Sequence, residues 1–177
     1  DGVLTAPTTT DACAGTITGT TTGTLNFVEG DSTTITWSFN DGNGQTVTAN
    51  QVYNYDDVTA PVASTNPGAN LAQVTDECSV TLTAPTATDN CTQGNITGTT
   101  TTAFPITTQG STTVTWTYDD GNGNSSTQDQ VVVIDDVTNP TTPTLANVTV
   151  DCDGVLTAPT TTDACAGTIT GTTTGTL

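Results

Sequence analysis

Residues Ser111–Thr127 read STTVTWTYDDGNGNSST. Val114, Trp116 and Tyr118 alternate with Thr113, Thr115 and Thr117, the period of a strand with one packed face and one wet face. Asp120-Gly-Asn-Gly follows, and Asn-Gly is a strong hairpin-turn signal. The run QVVVIDD, Gln130–Asp136, is then the returning strand, with Val132 and Ile134 on the core side. The same pattern occurs earlier in the chain. STTITWSFNDGNG, Ser32–Gly44, places Ile35, Trp37 and Phe39 at the apolar positions, and QVYNYDD, Gln51–Asp57, returns with Tyr53 and Tyr55. Asn54 stands where the later copy has Val133, which leaves position 54 on the solvent side.

Further matches extend this internal repeat. TAPTTTDAC (Thr5–Cys13) recurs as TAPTATDNC (Thr83–Cys91) and again as TAPTTTDAC (Thr157–Cys165). LAQVTDEC (Leu71–Cys78) matches LANVTVDC (Leu145–Cys152), and DDVTAP matches DDVTNP. A longer period lies above this one: Asp153–Leu177 repeats Asp1–Leu25 without substitution, an offset of 153 − 1 = 152 positions. The chain therefore reads as a window onto a tandem array, holding the C-terminal part of a first repeat (1–57), a complete repeat (58–136) and the N-terminal part of a third (137–177). Boundaries fall after the Asp pairs, where Pro follows and linkers tolerate length changes.

Composition agrees with strands. Threonine fills 50 of the 177 positions, while strong helix formers are scarce and no helical period emerges. Six or seven short strands per repeat predict an all-β chain of tandem immunoglobulin-like β-sandwich domains arranged end to end. No apolar run reaches the ~18 residues of a membrane-spanning helix.

The missing cations narrow the function. The chain has no Lys, Arg or His against 18 acidic residues. Without Lys or Arg there is no counterion-release term for nucleic acid, and an anionic membrane surface repels the chain. Without His or Lys a nucleophilic Ser or Cys lacks its base, and Asp119 and Asp120, adjacent on a strand, point to opposite faces. The sequence argues against an enzyme.

Five cysteines make an odd count until the repeat is applied. Cys78 and Cys91 stand at the same spacing as Cys152 and Cys165. The expected disulfides are Cys78–Cys91 and Cys152–Cys165, with Cys13 paired to a Cys preceding Asp1. Disulfides imply an oxidising, extracellular setting. Zinc would need more Cys or His nearby than the chain offers.

The TAPTATDNC segment, the FPITTQGSTTVTWTYDDGNGNSST stretch and the DDVTNP junction resemble hyalin-repeat (HYR-type) domains. They are still more similar to the Thr-rich tandem repeats of Bacteroidetes surface proteins, including gliding-motility adhesins. That resemblance covers essentially the whole chain. It implies an immunoglobulin-like fold, export to the cell surface and a filamentous or adhesive role, with neighbouring copies of the repeat as partners.

Candidate sites follow. Asp56–Asp57 and Asp135–Asp136 stand at the junctions like the acidic motif of cadherins, so calcium is the candidate ion, with Asp89 or Asp163 as further ligands. Asp120–Ser125 resembles the start of an EF-type loop, but position 12 is Val131 rather than Glu, and the hairpin reading is preferred. Asn90, Asn95, Asn124 and Asn147 fit the N-glycan acceptor pattern, and Ser32 in Asp31-Ser32-Thr33 resembles a Bacteroidetes O-glycan acceptor. Two functions are expected to compete: a structural module of an extracellular filament or adhesin stalk, and a glycan- or surface-binding adhesive module. Exposed Trp37 or Trp116 would favour the second.

Overall fold

A computed structural model of the chain describes residues 4–25, 28–92, 94–152 and 154–174. Among these residues there are twelve strands and no helix, so the chain is all-β. It divides into two compact units, Asp1–Thr59 and Ala60–Leu177.

The first unit contains β1 (Thr8–Asp11), β2 (Gly15–Thr18), β3 (Ser32–Asn40) and β4 (Thr46–Asn54). β1 pairs with β2 and β3 with β4, both antiparallel. Ile35, Trp37 and Phe39 on β3 are buried, and Leu4, Ala6, Ile17, Leu25 and Tyr53 pack against them.

The second unit contains β5 (Val62–Ala63), β6 (Leu71–Asp76), β7 (Thr86–Thr88), β8 (Ile96–Thr97), β9 (Gly110–Asp119), β10 (Ser125–Ile134), β11 (Thr160–Asp163) and β12 (Gly167–Thr170). One sheet runs β6-β10-β9 and another β5-β7-β8. β10 lies antiparallel to β9 and parallel to β6. Both sheets feed one core: Ala87 and Ile96 from the small sheet join Val114, Trp116, Tyr118, Val132 and Ile134 from the large one. Those last five are the side chains whose alternation marks the strand pair in the sequence. Burying each large apolar side chain contributes about 1.5–3 kcal/mol, which makes this stripe the main source of cohesion.

Side chains tie the pair together in both units. Trp116 Nε1 donates to Gln130 Oε1 and Thr115 Oγ1 to Asp129 Oδ1. In the first unit Trp37 Nε1 donates to Gln51 Oε1 and Thr36 Oγ1 to Asn50 Oδ1. The hairpin loop is longer than a two-residue turn. Asp120 N donates to Asn124 O, and Gly121 and Gly123 take positive φ of 82° and 106° between them.

Two Thr-rich stretches of the complete repeat, Ser79–Thr83 and Asn95–Thr102, form little continuous strand. Ser79–Thr83 is reduced to a bridge between Val80 and Ile106. Asn95–Thr102 breaks at Gly98: Ile96 and Thr97 pair with β7, whereas Thr99 pairs with Thr117 of β9 in the other sheet. Gly98 allows this crossing because its N–H meets Pro85 O at 2.8 Å while an added Cβ would lie 3.1 Å from the Tyr118 ring. Gly19 occupies the same place against Pro7 and Phe39 in the first unit.

Candidate junction site

β9 has ten residues, about 30 Å at ~3.3 Å per residue, so its two ends define two distant ends of the large sheet. Cys78 lies at the end where β9 begins and β10 finishes, beside Thr107, Gln109 and Asp136. Cys91 lies toward the hairpin, where the neighbouring Thr92 Oγ1 donates to Asp120 O. The expected Cys78–Cys91 pairing is therefore corrected: a bond cannot reach between opposite ends of a sheet.

Cys78 is bonded instead to Cys165, across a Cα–Cα distance of 4.8 Å and a sequence separation of 87. Cys152–Cys165 is corrected by the same finding. Cys91 is partly buried and unbonded, and Cys13 and Cys152 are exposed and unbonded. The partner expected for Cys13, ahead of Asp1, lies outside the described residues. In repeat terms, the first cysteine of the complete repeat joins the second cysteine of the sequence repeat that follows. This bond, with the hydrogen bond from Thr138 Oγ1 to Glu77 Oε2 at 2.7 Å, ties the third sequence repeat to the complete one, and within the third repeat Thr141 N and Thr141 Oγ1 donate to Thr162 O at 3.0 and 2.6 Å.

Each bonded cysteine is presented by an aspartate two residues before it. Asp76 Oδ1 accepts from the N–H of Cys78 and Ser79, and Asp163 Oδ1 from the N–H of Cys165 and Ala166. Asp11 and Asp89 form the same turn at Cys13 and Cys91. Donors to a carboxylate favour its charged form. The Ala166 and Cys165 N–H groups hold Asp163 below the ordinary carboxyl value, as those of Cys78 and Ser79 do Asp76, and those of Ala14 and Cys13 do Asp11. The signal for this device is the Asp-x-Cys spacing at positions 11, 76, 89 and 163, which sequence reasoning overlooked.

Of the acidic candidates in the second unit, Asp136 and Asp163 come together and Asp135 does not join them. Asp136, Asp163 and Cys165 each place a ligand-type atom within 4.8 Å of the other two. Asp136 N donates to Gln109 Oε1, and Asp136 Oδ1 accepts from Thr138 N. Thr138 Oγ1 in turn donates to Glu77 Oε2 at 2.7 Å. Asp135 is exposed and absent from the group. Calcium takes six to eight oxygens, and here two carboxylates stand beside a sulfur already committed to a disulfide. The two carboxylates supply part of the oxygen set that calcium takes, and the Cys78–Cys165 bond ties the junction covalently. In the first unit Asp57 N donates to the Glu29 carboxylate and Asp57 Oδ1 accepts from Thr59 N, while Asp56 is exposed. Asp89 Oδ2 is buried without a hydrogen-bond partner.

The hairpin acid is likewise occupied. Asp120 Oδ1 accepts from the N–H of Asn122 and Asn124, and its Oδ2 from Asn124 Nδ2 at 2.9 Å. Desolvation raises the Asp120 pKa, but these donors outweigh it and hold the group below its ordinary value. The Asn124 amide is thereby committed to the turn. Ser32, Asn90, Asn95 and Asn147 are exposed. Comparison of the chain with family models, curated proteins and solved structures gives no match.

Proposed function

We propose that this chain is a structural repeat module of an extracellular filament or cell-surface adhesin stalk, built of tandem immunoglobulin-like β-sandwich domains arranged end to end. The reading is carried by the Cys78–Cys165 bond, which links one sequence repeat to the next rather than closing a loop within either. A covalent link between successive repeats passes tension along a chain without requiring the weak contacts between small domains to bear it. The repeat correspondence extends the pattern, because Cys152 stands where Cys78 does and Cys91 where Cys165 does. In an array the same bond would join Cys152 of one 152-residue period to the Cys91 position of the next.

Burial disfavours the adhesive alternative. Trp37 and Trp116 are 3% and 2% exposed, so neither indole is available to stack on a sugar. A cleft of about 450 Å³ in the second unit is lined by Pro61, Val62, Asn70, Ser126, Gln128 and Asp129, among others, with no aromatic side chain. Neutral glycans are indifferent to the acidic charge, and glycan-array binding is the direct test of that alternative. The structural reading is tested by imaging arrays of one, two and three 152-residue periods by electron microscopy. Contour length should rise in proportion to copy number; particles of constant diameter would overturn it.

A further inference from the structure

The connection leading into β6 is longer than its counterpart in the next sequence repeat. Pro61 and Leu71 are ten positions apart, whereas Pro140 and Leu145, which match them, are five apart. The extra residues lie between β5 and β6 and turn at Asn66 and Gly68, with φ of 48° and 76°. Three differences on the long strand pair accompany this loop. Tyr118, Ser126 and Gln128 stand where the first unit has Phe39, Val47 and Ala49. All three polar groups are spent on the connection. Gln128 Nε2 donates to the carbonyls of Thr65, Asn66 and Ala69 at 2.8, 3.1 and 2.7 Å, and its Oε1 accepts from the Tyr118 hydroxyl at 2.8 Å. Ser126 Oγ donates to Pro61 O at 2.6 Å. Phe, Val and Ala could make none of these bonds, so the network belongs to the loop and fixes it in one place.

The fixed loop borders the cleft of about 450 Å³, which lies among Pro61–Ala63, Gly68–Asn70 and Ser126–Asp129. β6 begins opposite Gln130, so residues 125–129 of β10 are paired with β9 alone among the described residues. Strand alternation tells which main-chain groups face the uncovered edge. Thr117 exchanges both main-chain bonds with Thr99, on the side of β9 away from β10. Directly opposite residues of an antiparallel pair either bond each other or both turn outward. Thr127 lies opposite Thr117, so its N–H and C=O turn away from β9 into the open edge. Two residues on, Asp129 Oδ1 accepts from Thr115 Oγ1 at 2.7 Å, and its second carboxylate oxygen adds a negative charge beside the same edge. Val62, across the cleft, is 54% exposed.

We propose that this cleft binds an extended peptide segment carrying a lysine or arginine, which pairs with the β10 edge at Thr127 and sets its cation against Asp129. Main-chain pairing supplies affinity in such strand addition, and side-chain contacts supply specificity. Charge selects the occupant. The chain has 18 acidic residues and no Lys, Arg or His, so a cation for Asp129 comes from a partner, and a second copy of this chain is repelled. The site lies within the complete repeat and goes beyond the stalk reading, and neither depends on the other.

The test titrates the labelled whole chain with the capped peptide Ser-Thr-Val-Lys-Val-Thr-Ser. Amide NMR should show saturable shifts at Thr127 and Asp129. Glutamate in place of the peptide's lysine should weaken binding about tenfold, and Asp129→Asn should bring the two peptides within about threefold of each other. Methylating the peptide's amide nitrogens removes its strand bonds and should abolish the shifts. Gln128→Ala releases the loop and should also weaken the lysine peptide about tenfold, with β9 and β10 amides elsewhere unmoved to show that the fold persists. No saturable shift at Thr127 and Asp129, undiminished binding of the methylated peptide, or a lysine preference that survives Asp129→Asn would each overturn the proposal. So would shifts there produced by raising the protein concentration alone, which would seat a second copy in the cleft, or by a neutral oligosaccharide and not the peptide, which would assign it to a glycan.

Discussion

Pulling on the chain from its two ends separates the observed disulfide from the pairing suggested by the cysteine spacing. The Cys78–Cys165 bond spans a sequence separation of 87, and an extended chain covers about 3.5 Å per residue, so about 300 Å of contour is hidden while it is intact. The alternative pair of short loops, Cys78–Cys91 and Cys152–Cys165, would hide only about 90 Å together on the same reach per residue. Force spectroscopy on the chain held by terminal handles, first without and then with a thiol reductant, reads this length directly. Reduction should release a further extension of about 300 Å, the full contour of the closed loop. Cys165→Ser should show that extension without reductant, and Cys91→Ser should behave as the parent chain. The same bond stabilises the second unit by restricting the unfolded chain, by about 4.5 kcal/mol for a loop of this size. With a urea slope of about 2 kcal/mol/M, reduction should lower the midpoint by roughly 2 M. A released length of only about 90 Å, the contour of the two short loops, or unfolding unchanged by Cys165→Ser, would refute the cross-repeat bond.

Three further outcomes are expected. Tyr118→Phe should destabilise the second unit by about 1–2 kcal/mol in urea unfolding, because the Tyr118 hydroxyl donates at 2.8 Å to the buried Gln128 Oε1 while Gln128 Nε2 is held by the carbonyls of Thr65, Asn66 and Ala69. Gly98→Ala should cost about 1–3 kcal/mol by the same measurement, since the new methyl meets the Tyr118 ring and the Pro85 carbonyl; an unchanged midpoint would show that the crossing tolerates a side chain. The turn donors lower the carboxyls of Asp11, Asp76 and Asp163 from the ordinary value of 3.8, so their contribution is present above that value, complete by about pH 5, and lost as pH falls through the lower folded values. NMR titration should place the transitions of the Cys13, Cys78 and Cys165 amides below pH 3.8, and midpoints at or above ordinary aspartate would remove the turn bonds from the account.

Local chemistry made the strand pair legible. The alternation at Val114, Trp116 and Tyr118 and at Ile35, Trp37 and Phe39 depends only on the two-residue period of a strand, and all six side chains are buried. The hairpin was likewise visible in Asp120-Gly-Asn-Gly. The break at Gly98 was hidden because Thr suits a strand in either sheet, and only packing against Tyr118 decides where the chain crosses. The disulfides misled for a related reason. Cysteine spacing gives loop length, whereas pairing depends on which end of a strand about 30 Å long, at ~3.3 Å per residue, each cysteine occupies. Asp-x-Cys was the signal present in the sequence, since it marks the turns that present the sulfurs, though not their partners. The Asp pairs were legible as candidate ligands, but which member of a pair meets another carboxylate was not: Asp136 stands with Asp163, and Asp135 is outside that group.

The most direct test is proteolytic mapping of the disulfides in the unreduced chain by mass spectrometry. Peptides containing Cys78 and Cys165 should travel as one linked species and separate on reduction, with Cys13, Cys91 and Cys152 recovered as thiols. Recovery of Cys78 linked to Cys91 and Cys152 linked to Cys165 would place each bond inside one repeat and contradict the covalent coupling between them.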